Sequence, residues 1–169
     1  MKIFFIIILI LVMFPVCQKK GKEIKIADLT KDEISAERLW ERITKETNYK
    51  KYPSWPNYKG YQSGQSPHGR YHKLFINPRL RNSLPIKNKV APAGSIVVKE
   101  NYTADKELAF YTVMAKVKDY NPANKDWYWA KYDMDGKVKA AGNLKNCADC
   151  HVGSNNDCLI TWPLDKQFK

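Results

Sequence analysis

Hydrophobic and polar residues along this chain fall into two periods. Ala36, Leu39, Trp40 and Ile43 recur at helical spacing, and Thr30-Lys31-Asp32-Glu33 ahead of them has the form of a capping box. The spacing predicts one amphipathic helix over 31–47, with its apolar stripe turned to a core. Pro53 and Pro56 end any helix, and 60–69 reads as a polar loop. Beyond it the period drops to two. Residues 70–76 alternate, with Tyr71, Lys73 and Phe75 on one face and His72, Leu74 and Ile76 on the other, until Asn77-Pro78 stops the run. Further strands are expected over 94–100, 108–117, 127–132 and 137–141, the last two joined by the turn Asp133-Met134-Asp135-Gly136. One helix followed by such strands predicts an α+β fold: a predominantly antiparallel β-sheet, an N-terminal helix and a short C-terminal segment after Gly142.

The first residues obey neither period. Met1-Lys2 precedes an unbroken apolar run from Ile3 to Phe14, with a basic start and a length that fit a secretory signal over 1–16 and fall short of a comfortable membrane span. Cys17 follows directly, at the place where a bacterial lipoprotein would be lipidated, and 17–29 reads as a tether. The remainder, 30–169, is long enough for one domain with a real core. The expected location is the periplasm or the outer face of a bacterial membrane, with Cys17 as the lipid anchor. Net charge is +12, but the lysines are scattered without a dense basic tract. That distribution excludes nucleic acid as the expected partner and leaves an acidic redox protein as a candidate for the charged surface.

The chemistry concentrates near the end, in Cys147-Ala148-Asp149-Cys150-His151. Two thiols separated by two residues, with a histidine after the second, form the attachment pattern of a c-type haem. Each thiol adds to a vinyl group, and His151 becomes the proximal iron ligand. A chance match, half a zinc site and a redox pair are the competing readings. Zinc would want a second ligand pair, and His68 and His72 lie far upstream. Cys17 belongs to the processing site, which leaves Cys158 as a small core residue. His68, His72, Met114 and Met134 are the available sixth ligands; Met114 reads as core filler and Met134 falls in a turn.

Several stretches together resemble the cytochrome P-460 family, with its relative cytochrome c′-beta. They are Ser66-Pro67-His68-Gly69, Lys73-Leu74-Phe75-Ile76-Asn77, Gly94-Ser95-Ile96-Val97-Val98-Lys99-Glu100, Thr112-Val113-Met114-Ala115-Lys116, Asp126-Trp127-Tyr128-Trp129 and Asp135-Gly136-Lys137-Val138, ahead of the haem motif. Cys158 departs from the family pattern, which has an aromatic residue there. The resemblance implies an antiparallel β fold, a homodimer, and one covalently attached haem c with an open distal side. It also implies a branch: members with a lysine–porphyrin bond oxidise hydroxylamine, and relatives without it bind nitric oxide or carbon monoxide without turnover.

The resemblance points to Lys73 as the cross-linking lysine, with Lys87, Lys89 and Lys99 as weaker alternatives. Glu100 shares the apolar face of Ile96 and Val98, where burial would raise its pKa, and the resemblance implies that it falls where a distal carboxylate can relay protons. The expected activity is therefore that of a haem oxidoreductase acting on hydroxylamine, and in the second instance on nitric oxide. Lys73 and Glu100 would be its catalytic residues, and a soluble cytochrome or similar protein its electron acceptor.

Overall fold

The computed structural model describes residues 28–86, 90–154 and 156–160. The expected signal segment, Cys17, Lys87 and Lys89 lie outside the described residues. Among the described residues no helix is long and apolar enough to cross a membrane.

The first helix, α1, spans Ala36–Glu41 and not the whole of 31–47. Ser35 is its N-cap, accepting from the Arg38 backbone N–H at 3.0 Å. Thr30 and Glu33 do meet, the Thr30 hydroxyl donating to the Glu33 carboxylate at 2.8 Å, but they close a turn ahead of the helix. After Glu41 the coil widens into a π turn, Arg42–Glu46, in which Thr47 N–H reaches back to Arg42 O at 3.0 Å.

Six strands follow: β1 (Gln62–Ser63), β2 (Tyr71–Ile76), β3 (Ile96–Tyr102), β4 (Leu108–Lys116), β5 (Trp127–Asp133) and β6 (Val138–Gly142). They form one antiparallel sheet in chain order, so every connection joins neighbours. The α+β fold expected from the alternation is the one observed. Two elements were not anticipated. Strand β1 sits inside the supposed polar loop, and helix α2 (Pro78–Ser83) starts at the Asn77-Pro78 pair that stops β2. Asn77 caps α2 by accepting from Leu80 N–H at 3.1 Å, and Pro78 takes the first turn, where a missing N–H costs nothing.

Alternation gives the sheet two buried faces. On the first, Leu39 and Ile43 from the helical segment pack with Val98, Val113 and Tyr132. On the second, Leu74, Ile76, Val97, Met114 and Trp129 are covered by Leu80 and Leu84 and by Cys158-Leu159. Cys158 is the small core residue expected, with no exposed surface. A side chain of the size of Ile43 or Leu80 gains about 1.5–3 kcal/mol from such burial, so neither face is dispensable.

Glu100 is buried on the first face at 1 % exposure. Tyr49 and Tyr102 donate their hydroxyls to it at 2.7 and 2.5 Å, and Lys50 pairs with it from the rim. Burial alone would raise its pKa, as the sequence suggests, but the Lys50, Tyr102 and Tyr49 hydrogen bonds outweigh burial and hold the carboxyl below its usual value. A depressed folded pKa contributes stability that is complete above the unfolded glutamate pKa of about 4.3 and fades as pH falls through the folded value. Glu100→Gln is therefore expected to lower the urea midpoint at about pH 7, with the gap to the parent narrowing as the pH is taken down through and below the ordinary carboxylate range. Urea titrations of both proteins across that range check it. A gap that persists at low pH would refute the assignment.

Candidate functional site

Helix α3 (Lys145–His151) carries the whole haem motif. Cys147 and Cys150 stand three residues apart and Cys147 and His151 four, so the two thiols and the imidazole share one side of a short helix. Cys147 packs beside the apolar core of the second sheet face, Cys150 is exposed, and His151 is half-buried. The His151 ring meets the Trp129 ring edge-on, with centroids 4.8 Å apart.

The orientation of His151 is set by its own chain. Its Nδ1–H donates to Cys158 O at 2.7 Å, which leaves Nε2 with the free lone pair. Asp157 and Cys158, which present that carbonyl, both lie in the left-handed region, at φ 53° and 66°. Such a pair persists only when its surroundings over-determine it. The Asp157 carboxylate, 3 % exposed, pairs with Lys116 Nζ at 2.9 Å and accepts from Ala91 N–H at 2.8 Å. Asp157 O accepts from Trp127 Nε1–H at 2.9 Å, and Lys116 donates in turn to Lys125 O at 2.6 Å. A buried ion pair thus fastens the loop that aims the imidazole.

The register places three rows on the second face. Leu74, Lys99, Thr112 and Lys131 lie side by side across β2 to β5, flanked by His72–Asn101–Phe110 and by Ile76–Val97–Met114–Trp129. The last row is apolar core and the other two carry polar groups towards α3. Lys99 is half-buried there, and desolvation pushes its pKa down to about 8. Burial and then the Lys99 charge push both His68 and His72 down to about 4, so both imidazoles are neutral near pH 7. Burial also lowers His151, partly offset by its bond to Cys158 O, and the Lys99 charge adds to the lowering.

Predicted site residues therefore divide between the faces. Cys147, Cys150 and His151 come together with Lys99 nearby. Lys73 and Glu100 pair across β2 and β3 on the opposite face. Lys73 Nζ lies over the Tyr61 and Tyr102 rings, 4.2 and 5.3 Å from their centroids, and Glu100 is occupied by its tyrosines. Strand alternation is the physical reason: with Leu74 and Ile76 on the α3 side, Lys73 must point away. Met114 is core, as expected, and Met134 is 57 % exposed at the β5–β6 turn.

These residues fit a haem. Two free thiols and an imidazole with one committed nitrogen are the required donor set. Among the described residues, His72 Nδ1 and the Trp129 indole N–H are buried without a partner on this side of the sheet, where His68 and Asn101 lean on each other. In a finished interior such atoms would each cost about 1–3 kcal/mol, which marks the region as built around a further group. Among the described residues no set of three His, Cys, Asp or Glu is placed to hold a metal ion.

The clamp on the His151 loop has a measurable consequence. Asp157→Ala strands Lys116 and the Ala91 N–H in the interior, and is expected to cost about 3–5 kcal/mol of unfolding free energy. Asp157→Asn, which keeps an acceptor for Ala91, should cost less. Chemical denaturation of the two variants measures both, and equal losses would contradict the geometry.

A search of curated proteins found no match to the chain. A family model described as Cytochrome P460 matches residues 48–161, from the residue before Tyr49 through all six strands and α3 to the loop beyond Cys158. The match spans most of the chain and includes every residue assembled around His151: the protein belongs to the cytochrome P460 family, whose members are haem proteins.

Proposed function

We propose that this protein is an exported mono-haem c oxidoreductase that oxidises hydroxylamine, with Lys99 bonded to the porphyrin. The carrying observation is the position of Lys99: a half-buried amine on the α3 side of the sheet, with its pKa lowered to about 8 by desolvation. A fraction of that amine is neutral near pH 7 and could form a C–N bond to the macrocycle in place of a C–H bond, the two protons leaving to solvent and the two electrons to an external oxidant. Lys73 has the opposite orientation and a cation–π role, so the lysine expected from the resemblance gives way to its neighbour across the strand pair.

Cys147 and Cys150 would hold the haem and His151 its iron, and the bound group supplies a metal that takes small nitrogen ligands and exchanges electrons. The chain's own residues do the rest. Cys158 O keeps the His151 imidazole in one tautomer and raises its basicity as a donor. Apolar Trp129, Met114 and Val97 exclude water on the core side. The neutral imidazoles of His68 and His72 offer hydrogen-bonding groups on the haem side, a position that Glu100 cannot reach from the other face. Electrons leave for an external protein acceptor, such as a soluble cytochrome with an acidic surface complementary to this basic chain. Export with lipidation at Cys17 and assembly as a homodimer complete the reading.

One observation favours a second reading, capture of nitric oxide or carbon monoxide without turnover. The carboxylate expected to relay protons is buried on the opposite face, hydrogen-bonded to Tyr49 and Tyr102.

Protein matured with haem, digested and analysed by mass, separates the two. Hydroxylamine oxidation expects the haem-bearing 145–151 peptide to be joined to the peptide containing Lys99. Lys99→Ala should abolish the join and lower hydroxylamine-dependent reduction of an acceptor by about tenfold or more, ~1.4 kcal/mol in the barrier. Lys73→Ala should alter neither. A haem peptide free of Lys99 in the parent, with no turnover, leaves gas capture standing.

A further inference from the structure

Two pairs of consecutive left-handed residues meet beside the end of α3. Asp157 and Cys158 form one. Lys125 and Asp126, at φ 53° and 58°, form the other, directly after the short 3-10 turn Pro122–Asn124 that links β4 to β5. Hydrogen bonds fix this second corner. Asp126 N–H donates to Asn121 O at 2.8 Å, Asn121 N–H donates to the Asp126 carboxylate at 3.0 Å, and Val117 N–H donates to Asp126 O at 2.9 Å. Glycine, asparagine and aspartate are the usual occupants of that backbone region, so a lysine at 125 is informative.

Lys125 Nζ donates to Val152 O at 3.0 Å and to Ser154 O at 3.1 Å, the carbonyls at and just beyond the C-cap of α3. A cation there satisfies carbonyls that the helix leaves open and meets the negative end of its dipole. The backbone of the same residue is held from the other side. Lys116 Nζ donates to Lys125 O at 2.6 Å and to both oxygens of Asp157, at 3.1 and 2.9 Å. The circuit is closed: Lys116 joins the two left-handed pairs, Asp157 fixes the far end of the connection leaving α3, and Lys125 fixes its near end. That connection runs from His151 to Cys158 O, which takes the His151 Nδ1–H at 2.7 Å. Burial raises the Cys158 thiol pKa to about 11 and the Lys125 charge opposes it, so the ammonium is felt at the residue that orients the imidazole. Lys125, Val152, Ser154 and Asp157 line one cleft of about 550 Å³, so the Lys125 bonds bridge an open space and fill no sealed core.

We propose that Lys125 is a positioning residue for the haem iron: its ammonium holds the exit of α3 so that Cys158 O stays in line with the His151 Nδ1–H. A firm bond from Nδ1–H to a carbonyl makes the opposite ring nitrogen a better donor, and a better donor favours the ferric over the ferrous state. Asp157 and Lys116 anchor the carbonyl. Lys125 ties that anchor to the helix that bears the imidazole. This role rests on the haem reading of the site, and on neither the Lys99 bond nor hydroxylamine turnover.

The test uses protein matured with haem, and reads the reduction potential together with the iron–histidine stretching frequency in the resonance Raman spectrum of the ferrous form. Lys125→Met is expected to lower the stretching frequency and raise the potential relative to the parent. Lys125→Arg, which keeps the cation and its donors, should restore both. The sign is decisive. Removing a positive charge near the iron would by itself favour the ferric state and lower the potential, so a rise reports the lost orientation of the imidazole. Lys145→Met, which removes an exposed ammonium from α3 itself, supplies the comparison: its stretching frequency should match the parent's and its potential should not rise. Should Lys125→Met not fold, Lys125→Gln, neutral and shorter, carries the same two expectations. A stretching frequency equal to the parent's, or a lowered potential, in the neutral Lys125 variant overturns the proposal. So does a Lys145→Met variant that falls in frequency as far as the Lys125 variant. A parent that attaches no haem defeats the haem reading and this role together, and is told apart from those outcomes by the missing haem.

Discussion

Strand alternation within one antiparallel sheet governs everything else in this protein. Because β2 to β5 are covered on both faces, each side chain is committed to one of two interiors, and a shift of one residue would exchange them all. Lys73 and Glu100 fall in one interior; Leu74 and Lys99, directly beside them in sequence, fall in the other. The α3 helix packs on only one of these faces, through Cys147 and the flanking Leu144 and Val152. Its choice of face decides which lysine meets the haem motif. No rotamer change can bring Lys73 through the sheet.

The two interiors treat polar groups differently. Around Glu100 every charge is answered: two tyrosine hydroxyls and an ammonium converge on one carboxylate, which is what makes a buried acid tolerable. On the α3 side the accounts stay open. Asn101 gives its Nδ2 to Lys99 O, Phe110 O and the Thr112 hydroxyl, and among the described residues the Trp129 indole N–H and His72 Nδ1 have no partner. A finished structural network and an unfinished one, back to back across a single sheet, separate the group that holds the fold from the groups that await a ligand.

Much of this was legible in the sequence. The five main strands follow the alternation to within about two residues, and the Cys-x-x-Cys-His spacing locates the haem donors because that spacing is itself a chemical requirement. The parity of Lys73, Lys99 and Glu100 was also readable. What alternation could not supply was which parity faces α3, because that depends on how a segment some fifty residues downstream folds back. Glu100 misled for a related reason. Its burial is evident from Ile96 and Val98, but the sign of its pKa shift depends on Tyr49 and Lys50, brought to it by a left-handed turn at Asn48 that no periodicity announces. Asn77-Pro78 shows the reverse case: the pair that ends β2 also supplies the cap and the first-turn proline of α2, so one signal carries two meanings.

The rigidity on either side of His151 has a common logic. From the C-terminal side, two left-handed residues and a buried Lys116–Asp157 pair fix the carbonyl that orients the ring. From the N-terminal side, a hairpin with two glycines at contact distance fixes His68 opposite it. Strained backbone and a desolvated ion pair are both costly, and neither improves the apolar packing. A loop that only had to connect α3 to the core would need neither. A loop that must hold the His151 imidazole in one orientation has a use for them, since a flexible loop cannot keep a donor nitrogen aimed. The expense lies where the two loops converge, and the convergence is on the face that carries the haem motif.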